Sequence, residues 1–308
     1  MKFPVRFANR DSHWAGAAGQ RRKPIIGVLA VLLLVAGLQA CSAVKIAYNQ
    51  AIELSFWQLD GYFDFNDTQK PRVREELAKV HQWHRQTQLP GYVEALQRWQ
   101  TWLPGEVTEA QACAVFDEVR NKLQAISDRA LPAAGSLAAT LVPEQLNAMQ
   151  KKFSKLNAEY RSEFIEGTPA VLMEKRLKKA VSRAEMLYGS LDEPQLAVLK
   201  SRLAQSAFDA NISLGEFQRR QRDALQSLSP LVAGQSTAEQ ARPVVQAYLQ
   251  RAMNSPNAAY RAYQERLTRD SCATFAALHN STTAAQRAKA VETLTAYAQD
   301  FRLLTAQR

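Results

Sequence analysis

The sequence predicts an all-α protein, an irregular multi-helix bundle of about ten or eleven helices that follows an N-terminal leader. Beyond residue 41 the chain is dominated by Ala, Leu, Gln, Arg and Glu, which are strong helix formers, and the whole chain contains only 12 Gly in 308 residues. A Thr-x-x-Gln pattern recurs along it, and this pattern marks helix N-termini. There is no sustained alternation of apolar and polar residues, which would signal a strand.

The leader contains a basic stretch followed by an apolar run, RRKPIIGVLAVLLLVAGLQACSAV in residues 21–44. The core of the run, Ile25–Leu38, has 14 residues that are all apolar or Gly. A secretory signal has an apolar core of about 7–15 residues, whereas a membrane-spanning helix requires about 20. The wider uncharged window, residues 24–44, reaches 21 residues, so an uncleaved signal anchor stays open as an alternative.

The end of this run, Leu-Gln-Ala-Cys at 38–41, resembles the lipobox of bacterial lipoproteins, although Gln39 replaces the small or apolar residue usual there. The resemblance implies a lipoprotein signal peptide, residues 1–40, that is cleaved between Ala40 and Cys41. The Cys41 thiol then carries a diacylglycerol and its freed amine carries a further acyl chain, with no other cofactor. Two or more chains anchor a protein firmly in a membrane.

The residue after the cysteine bears on which membrane holds the anchor. Ser42 stands there, whereas Asp favours retention in the inner membrane in similar Gram-negative lipoproteins. The resemblance therefore implies the inner leaflet of the outer membrane, with the protein facing the periplasm. The alternative location is the inner membrane with the body on its periplasmic side, because the positive charges of the leader stay in the cytoplasm.

Composition limits the classes of partner. The leader holds six Lys or Arg and one acidic residue, which leaves 33 basic and 28 acidic residues, a net charge of +5, for residues 41–308. A nucleic-acid partner is not expected, because the compartment is wrong and aromatic residues do not interleave with the basic runs. The expected partners are the membrane, through the lipid, and an envelope protein or an unfolded client.

The first helix of the exported body is predicted from Ala43 to about Tyr62, because Tyr48, Ile52 and Leu59 recur at helical spacing. Four aromatic residues at its end could pack in the core or contact the bilayer interface, where aromatic side chains are favoured. Packing in the core is the favoured interpretation for these four: Trp57, Tyr62, Phe63 and Phe65.

Two further helices are predicted before residue 104. A turn at FDFNDTQKP, residues 63–71, contains capping candidates and a Pro suited to a first helical turn. The second helix covers about 69–87, Pro90 breaks it, and the third runs from 91 to Leu103.

The remaining helix starts follow from capping boxes, in which Thr or Asp accepts from the amide at position N3 and the Gln reaches back to the N-cap amide. These boxes predict starts near 109, 143, 193, 238 and 284, and further starts are expected near Pro169, Ser213 and Pro256. The boxes are Thr108–Gln111, Asp192–Gln195, Thr237–Gln240, Thr283–Gln286 and the variant Val142–Gln145. Residues 41–308 are interpreted as one helical body, with two sub-bundles left open and a regular repeat array disfavoured because the spacing is irregular.

Two cysteines remain in the body, Cys113 and Cys272. An oxidising compartment permits a disulfide between them, and two separate buried thiols are the alternative.

The chain carries no recognisable catalytic signature, so a non-enzymatic protein is predicted. His81 and His84 share one side of a helix near Glu75 and Glu76, but structural zinc requires four good ligands, and no metal site is predicted. A carboxylate series at 60, 64 and 67 is assigned to caps and turns rather than to Ca²⁺.

Basic clusters on predicted helices are interpreted mainly as solvated faces, with an anion-binding or membrane-apposed face as the sharper alternative. One of these clusters is Arg219, Arg220 and Arg222. The candidate anion-binding residues are Lys151, Lys152, Lys155, Lys175, Arg176, Lys178, Lys179 and Arg183.

Three stretches, WHRQTQLPGY at 83–92, YFDFNDTQ at 62–69 and LHNSTTAAQR at 278–287, resemble a family of all-helical proteobacterial lipoproteins of unknown function. That resemblance covers residues 41–305 and implies a compartment and an all-α fold, but no activity. A weaker resemblance links Thr108–Gln111 and Val142–Gln145 to the Leu-Thr-x-x-Gln motifs of Spy-like periplasmic chaperones, which implies binding of other polypeptides.

Together these observations predict a lipid-anchored outer-membrane lipoprotein with a non-enzymatic binding or structural role in the cell envelope. The alternatives are a Spy-like chaperone that works without ATP and an enzyme of unrecognised type.

Overall fold

The computed structural model describes residues 43–307, and this part of the chain is all helical, which confirms the predicted fold class. Twelve α-helices make it up. They are α1 Ala43–Asn49, α2 Ala51–Phe63, α3 Gln69–Trp83, α4 Leu89–Trp102, α5 Glu109–Ala138, α6 Pro143–Phe164, α7 Pro169–Tyr188, α8 Glu193–Gln205, α9 Ala210–Ala233, α10 Ala238–Met253, α11 Ala258–Ser281 and α12 Ala284–Ala306. Among the described residues, no helix combines the length and the apolarity needed to cross a membrane.

The predicted break at Pro90 is wrong, because α3 continues through a π-helical turn, His84–Gln88, directly into α4. Pro90 is the second residue of α4, directly after the π-helical turn. A π-helical turn is wider than an α-turn and often marks a functional position.

The capping boxes form where the sequence places them. Thr108, Asp192, Thr237 and Thr283 accept from the N3 amides, and each N3 Gln returns a bond to the N-cap amide. Val142 has no side-chain acceptor, but Gln145 still accepts from its amide at 3.1 Å. A box that the sequence analysis missed lies in the α2–α3 turn, where Asn66 and Gln69 bond to each other in the same way.

The helices form two groups of four with the same internal packing. The first quartet is α2, α3, α5 and α6, in which α2 packs on α6 and α3 packs on α5. The second quartet is α7, α8, α11 and α12, in which α7 packs on α12 and α8 packs on α11. The two quartets contact each other directly where α5 packs on α11. Two helices outside the quartets add to this contact: α4, which follows α3, packs along α12, and α10, which precedes α11, packs along α5. The chain from Val44 onward forms one compact unit.

Two contacts fix α5 against its neighbours. A disulfide joins Cys113 on α5 to Cys272 on α11. On the other side, the backbone of α10 approaches Gly135 so closely that a Cβ atom there would lie 3.0 Å from Arg242 Cα.

The aromatic residues at the end of α2 divide between core and surface. Phe65 is buried and stacks on Phe63, as the core interpretation predicts. The same interpretation is wrong for Trp57, whose side chain is 63% exposed.

Candidate binding cavity

Paired glutamines hold the two hairpins of each quartet together. In the first quartet, Gln69 Nε2 donates to Gln145 Oε1 at 3.1 Å, and Gln145 Nε2 donates to Gln69 Oε1 at 2.8 Å. In the second quartet, Gln195 and Gln286 make the same reciprocal pair at 2.7 and 2.9 Å. We call these the first and the second junction.

Each junction glutamine also bonds to the backbone of the partner hairpin. Its Nε2 donates to the carbonyl two residues before the partner's N-cap, and its Oε1 accepts from its own N-cap amide. The four carbonyls are those of Thr140, Asp64, Ser281 and Ser190, for Gln69, Gln145, Gln195 and Gln286 respectively. One side chain therefore caps its own helix and fixes the turn of another.

The second junction is filled by large side chains. His279, seven residues before Gln286, is fully buried. Its Nε2 lies 2.9 Å from the Gly105 carbonyl, which can only accept, so Nε2 carries the proton and Nδ1 accepts from the Tyr188 hydroxyl at 2.9 Å. The Phe275 ring stacks on the His279 ring. Burial lowers the pKa of His279 and raises that of Tyr188.

The first junction has small residues at the corresponding places. Tyr62 precedes Gln69 by seven residues, as Tyr188 precedes Gln195, but Ala138 and Ala134 stand where the second junction has His279 and Phe275. A cavity of about 590 Å³ opens there, and Tyr62, Ala134 and Ala138 line it. The missing imidazole and phenyl rings leave part of this space open.

The wall of the cavity is mostly apolar. Helices of the first quartet supply one part of it, and α9 and α10 supply the rest, including Leu228 and Leu249. Its volume lies within the range of about 300–1,000 Å³ that small-molecule sites have. The charged lining residues are Arg72, Glu75 and Glu76, and both glutamates pair with Lys79. Burial raises the pKa of Tyr248, which also lines the cavity. The lining therefore suits an apolar ligand.

A second polar cluster surrounds the π-helical turn. His84 lies between two tyrosines, with Nδ1 3.0 Å from the Tyr48 hydroxyl and Nε2 3.0 Å from the Tyr92 hydroxyl. His81 Nε2 donates to the Tyr48 carbonyl at 3.0 Å. Burial lowers the pKa of both histidines. Within residues 43–307, no group of three or more potential ligands could hold a metal ion.

The candidate anion-binding residues do not form one site. Lys151, Lys152 and Lys155 lie on α6, and the other five lie on α7. Lys175 donates to the Ser162 carbonyl and Lys179 pairs with Glu163, so both bind the end of α6. Arg176 donates to the Leu203 carbonyl and lies over the Phe208 ring, and Lys179 also lies over the Phe164 ring. Lys152 lies over the Tyr62 ring and Lys155 near Glu159; Lys151, Lys178 and Arg183 are exposed.

The solvated-face interpretation is wrong for Arg219 and Arg220. Both donate to Glu216, which is 5% exposed, and Arg219 also bonds to Asp223. Burial opposes ionisation of Glu216, but these hydrogen bonds outweigh it and hold its pKa below the ordinary value. These ion pairs form because the packing of α9 and α10 buries the part of α9 that carries Glu216. Arg222 is exposed as predicted.

The sequence analysis did not identify the cavity, although the Ala-rich stretch ALPAAGSLAA, residues 130–139, is the signal that marks it. The predicted lipidation and cleavage positions, Cys41 and Ala40, lie outside the described residues.

Comparison with known proteins gives the chain a family. No curated protein and no solved structure is significantly similar to it, so the resemblance to Spy-like chaperones has no support there. One family model matches residues 61–229, more than half of the chain, including the whole first junction. The chain therefore belongs to that family, a family of unknown function (DUF6279).

Proposed function

We propose that this chain is a lipid-anchored, non-enzymatic binding protein of the outer membrane that faces the periplasm and holds an apolar ligand in the cavity beside the first junction. The lipobox at residues 38–41 and Ser42 support the anchor and the location. The cavity is the observation that carries the binding role.

The second junction shows that this fold does not require the cavity. The same glutamine pair, the same tyrosine position and the same helix packing occur there with the space filled by Phe275 and His279. An open cavity of about 590 Å³ forgoes packing that would stabilise the protein. The space beside the first junction stays open although the second junction shows how it can be closed, and this difference favours a role in binding.

The ligand test copies the second junction into the first. Ala134→Phe with Ala138→His should occupy the part of the cavity beside Tyr62 and weaken binding of N-phenyl-1-naphthylamine, an uncharged apolar dye, by about tenfold or more, which is about 1.4 kcal/mol. Dye fluorescence on titration measures this. The matched control is Ala114→Phe, an exposed position on the same helix, which should bind as the wild type does.

Circular dichroism of each variant establishes that it is folded. Equal dye binding by the folded Ala134→Phe/Ala138→His variant and the wild type would contradict the assignment of the cavity. If the wild type binds the dye and the variant does not, displacement of the dye from the wild type by lipids of envelope extracts would identify the natural ligand.

The anchor is tested separately by the intact mass of membrane-extracted protein. The expected mass is that of residues 41–308 plus acyl chains, and Cys41→Ala should abolish it. A mass that still includes residues 1–40 without acyl chains would show an uncleaved signal anchor and would move the protein to the inner membrane.

A further inference from the structure

The solvent-facing surface of the first two helices, α1 and α2, is unusually poor in charged residues. The Glu53 side chain is 41% exposed in its pair with Arg74, but the residues of α1 and α2 with the greatest exposure are all uncharged. Three of these residues are large and apolar: Ile46 is 56% exposed, Leu54 is 49% exposed and Trp57 is 63% exposed. A helix on the surface of a soluble protein normally places its charged residues on the outer face.

The charged residues of these helices are turned towards the body instead. Lys45 Nζ lies 3.5 Å from an Asp300 carboxylate oxygen on α12. Glu53 pairs with Arg74 on α3 at 3.0 Å. The third, Asp60, accepts from the backbone N–H of Phe65 at 2.9 Å. The polarity of the α1–α2 segment is therefore inverted relative to a water-facing helix.

The exposed apolar residues form one continuous face. Ile46, Gln50, Leu54 and Trp57 follow one another at intervals of four, four and three, which places them on one side of a helix. Backbone bonds from Gln50 N to Ile46 O and from Leu54 N to Gln50 O, both 3.0 Å, keep the path helical where α1 meets α2. We call this set the outer face.

We propose that the outer face lies on the surface of the bilayer that holds the lipid at Cys41, with Trp57 at the membrane–water interface. This inference rests on the proposed lipidation, since Cys41 precedes Ala43, the first described residue, by two positions. A lipid attached there holds the start of α1 close to the bilayer whatever the orientation of the body.

The orientation follows from the length of the segment and its chemistry. Trp57 is 14 residues beyond Ala43, about 21 Å along a helix axis at 1.5 Å per residue. If the segment stood upright, Leu54 and Trp57 would remain in water far from the surface. Lying flat, it buries three apolar side chains, and the nearest charge, Glu53, is already neutralised by its pair with Arg74. Trp is favoured at the membrane–water interface.

This orientation also affects the cavity. Leu59, Tyr62 and Phe63, at the end of α2, line the cavity, so a flat segment brings this wall towards the bilayer.

The test uses the full-length lipidated protein in phosphatidylethanolamine–phosphatidylglycerol vesicles whose acyl chains are brominated near the headgroup. Tryptophan emission is compared between the wild type and Trp57→Phe, and the difference spectrum reports Trp57. We expect this difference to be quenched by the bromines and shifted to shorter wavelength. Leu54→Lys should abolish both effects, whereas Leu123→Lys, which changes another exposed helical Leu, should leave them intact.

An unquenched, water-like Trp57 signal in protein that carries its acyl chains would overturn the proposal and leave the outer face to a protein partner. Intact mass distinguishes this from failure of the anchor, because the mass shows directly whether Cys41 is acylated. All the substituted side chains are exposed, so each variant should retain the wild-type circular dichroism.

Discussion

The two junctions share their hydrogen bonds and differ in what surrounds them. In both, two glutamines exchange amide bonds and each fixes the turn of the opposite hairpin. Around the second junction, Phe275, His279 and Tyr188 close the core. Around the first, Ala134 and Ala138 leave a cavity against Tyr62.

The difference shows that specificity of assembly and filling of the core are separable here. The polar network determines which turns meet, because a buried amide without its partner is costly. The side chains seven and eleven residues before the glutamine determine whether the space beside the junction tyrosine is filled. Two side-chain positions thus distinguish the closed junction from the one beside the cavity.

The largest effect is expected from the disulfide, since it ties α5 of the first quartet to α11 of the second. The bridge spans 159 residues, and the chain-entropy relation gives a stabilisation of about 5 kcal/mol for such a loop. Cys113→Ala with Cys272→Ala should lower the free energy of unfolding in urea by about that amount. Reduced wild type should match the double variant; a loss below about 1 kcal/mol would show that the bridge does not hold the quartets together.

The glutamine pairs should rank next, and they compare the junctions directly. Gln195→Ala removes four side-chain hydrogen bonds, but the part-buried Gln286 keeps its bonds to the Ser190 carbonyl and the Thr283 amide, so the cost should be about 2 kcal/mol. Gln145→Ala also removes four side-chain hydrogen bonds and should cost about 3 kcal/mol, because its partner Gln69 is only 4% exposed and water cannot replace the lost bonds.

Gln240→Ala is the matched control, because Gln240 completes an exposed capping box without a paired glutamine, and it should cost about 0.5–1 kcal/mol. Urea unfolding measures all three variants. Equal costs for Gln195 and Gln240 would mean that the junctions add nothing beyond capping.

Gly135 in the first quartet and Ala276 in the second occupy equivalent positions. Each lies ten residues before the junction glutamine that follows it, Gln145 on α6 or Gln286 on α12. Gly135→Ala should destabilise by about 2 kcal/mol, since the new Cβ would press on the backbone of α10. Ala276→Gly should cost about 1 kcal/mol, mainly through helix propensity. Thermal unfolding of both variants measures the difference; a neutral Gly135→Ala would show that α10 can move away from the first quartet.

The smallest effect is the pH dependence of the second junction. Burial lowers the pKa of His279, so the folded state holds the neutral ring while the unfolded chain takes up a proton near its ordinary pKa of 6.5. Stability contributed by the neutral ring is therefore full above about pH 6.5 and falls as the pH drops towards the lower, folded-state pKa.

Unfolding free energies between pH 5 and 8 measure this slope. His279→Asn should reduce it, whereas His81 and His84, whose pKa values burial also lowers, continue to contribute in the mutant. If the free energy of unfolding of His279→Asn depends on pH as the wild type's does, the pH dependence would arise at the π-helical turn, from His81 and His84.

The helices were predictable because their signals are local. Thr108, Asp192, Thr237 and Thr283 begin helices where their boxes stand, since a capping box requires only four consecutive residues. The box at Asn66 follows the same rule with Asn as the cap, and the sequence analysis overlooked it. The break predicted at Pro90 failed because tertiary packing around Tyr48, His84 and Tyr92 stabilises a π-helical turn there.

The cavity and the junctions were not predictable in the same way. Gln69 and Gln145 are 76 residues apart, and nothing in either box says that it pairs with the other rather than with Gln111 or Gln240. Which glutamines meet depends on how the hairpins pack. Arg219 and Arg220 read as a solvated cluster for the same reason, because their partner Glu216 is buried only once α9 packs against its neighbours.

The sequence by itself determined the all-α class and most helix starts, and it predicts the leader and the lipobox at Cys41, because each rests on residues adjacent in the chain. Only the tertiary structure decided that two pairs of capping glutamines join, that small residues on α5 face a tyrosine across an open space, and that the charges of α1 and α2 turn inward. These features depend on the relative positions of distant helices. Burial, exposure and the pairing of polar groups are properties of that packing and not of any local stretch of residues.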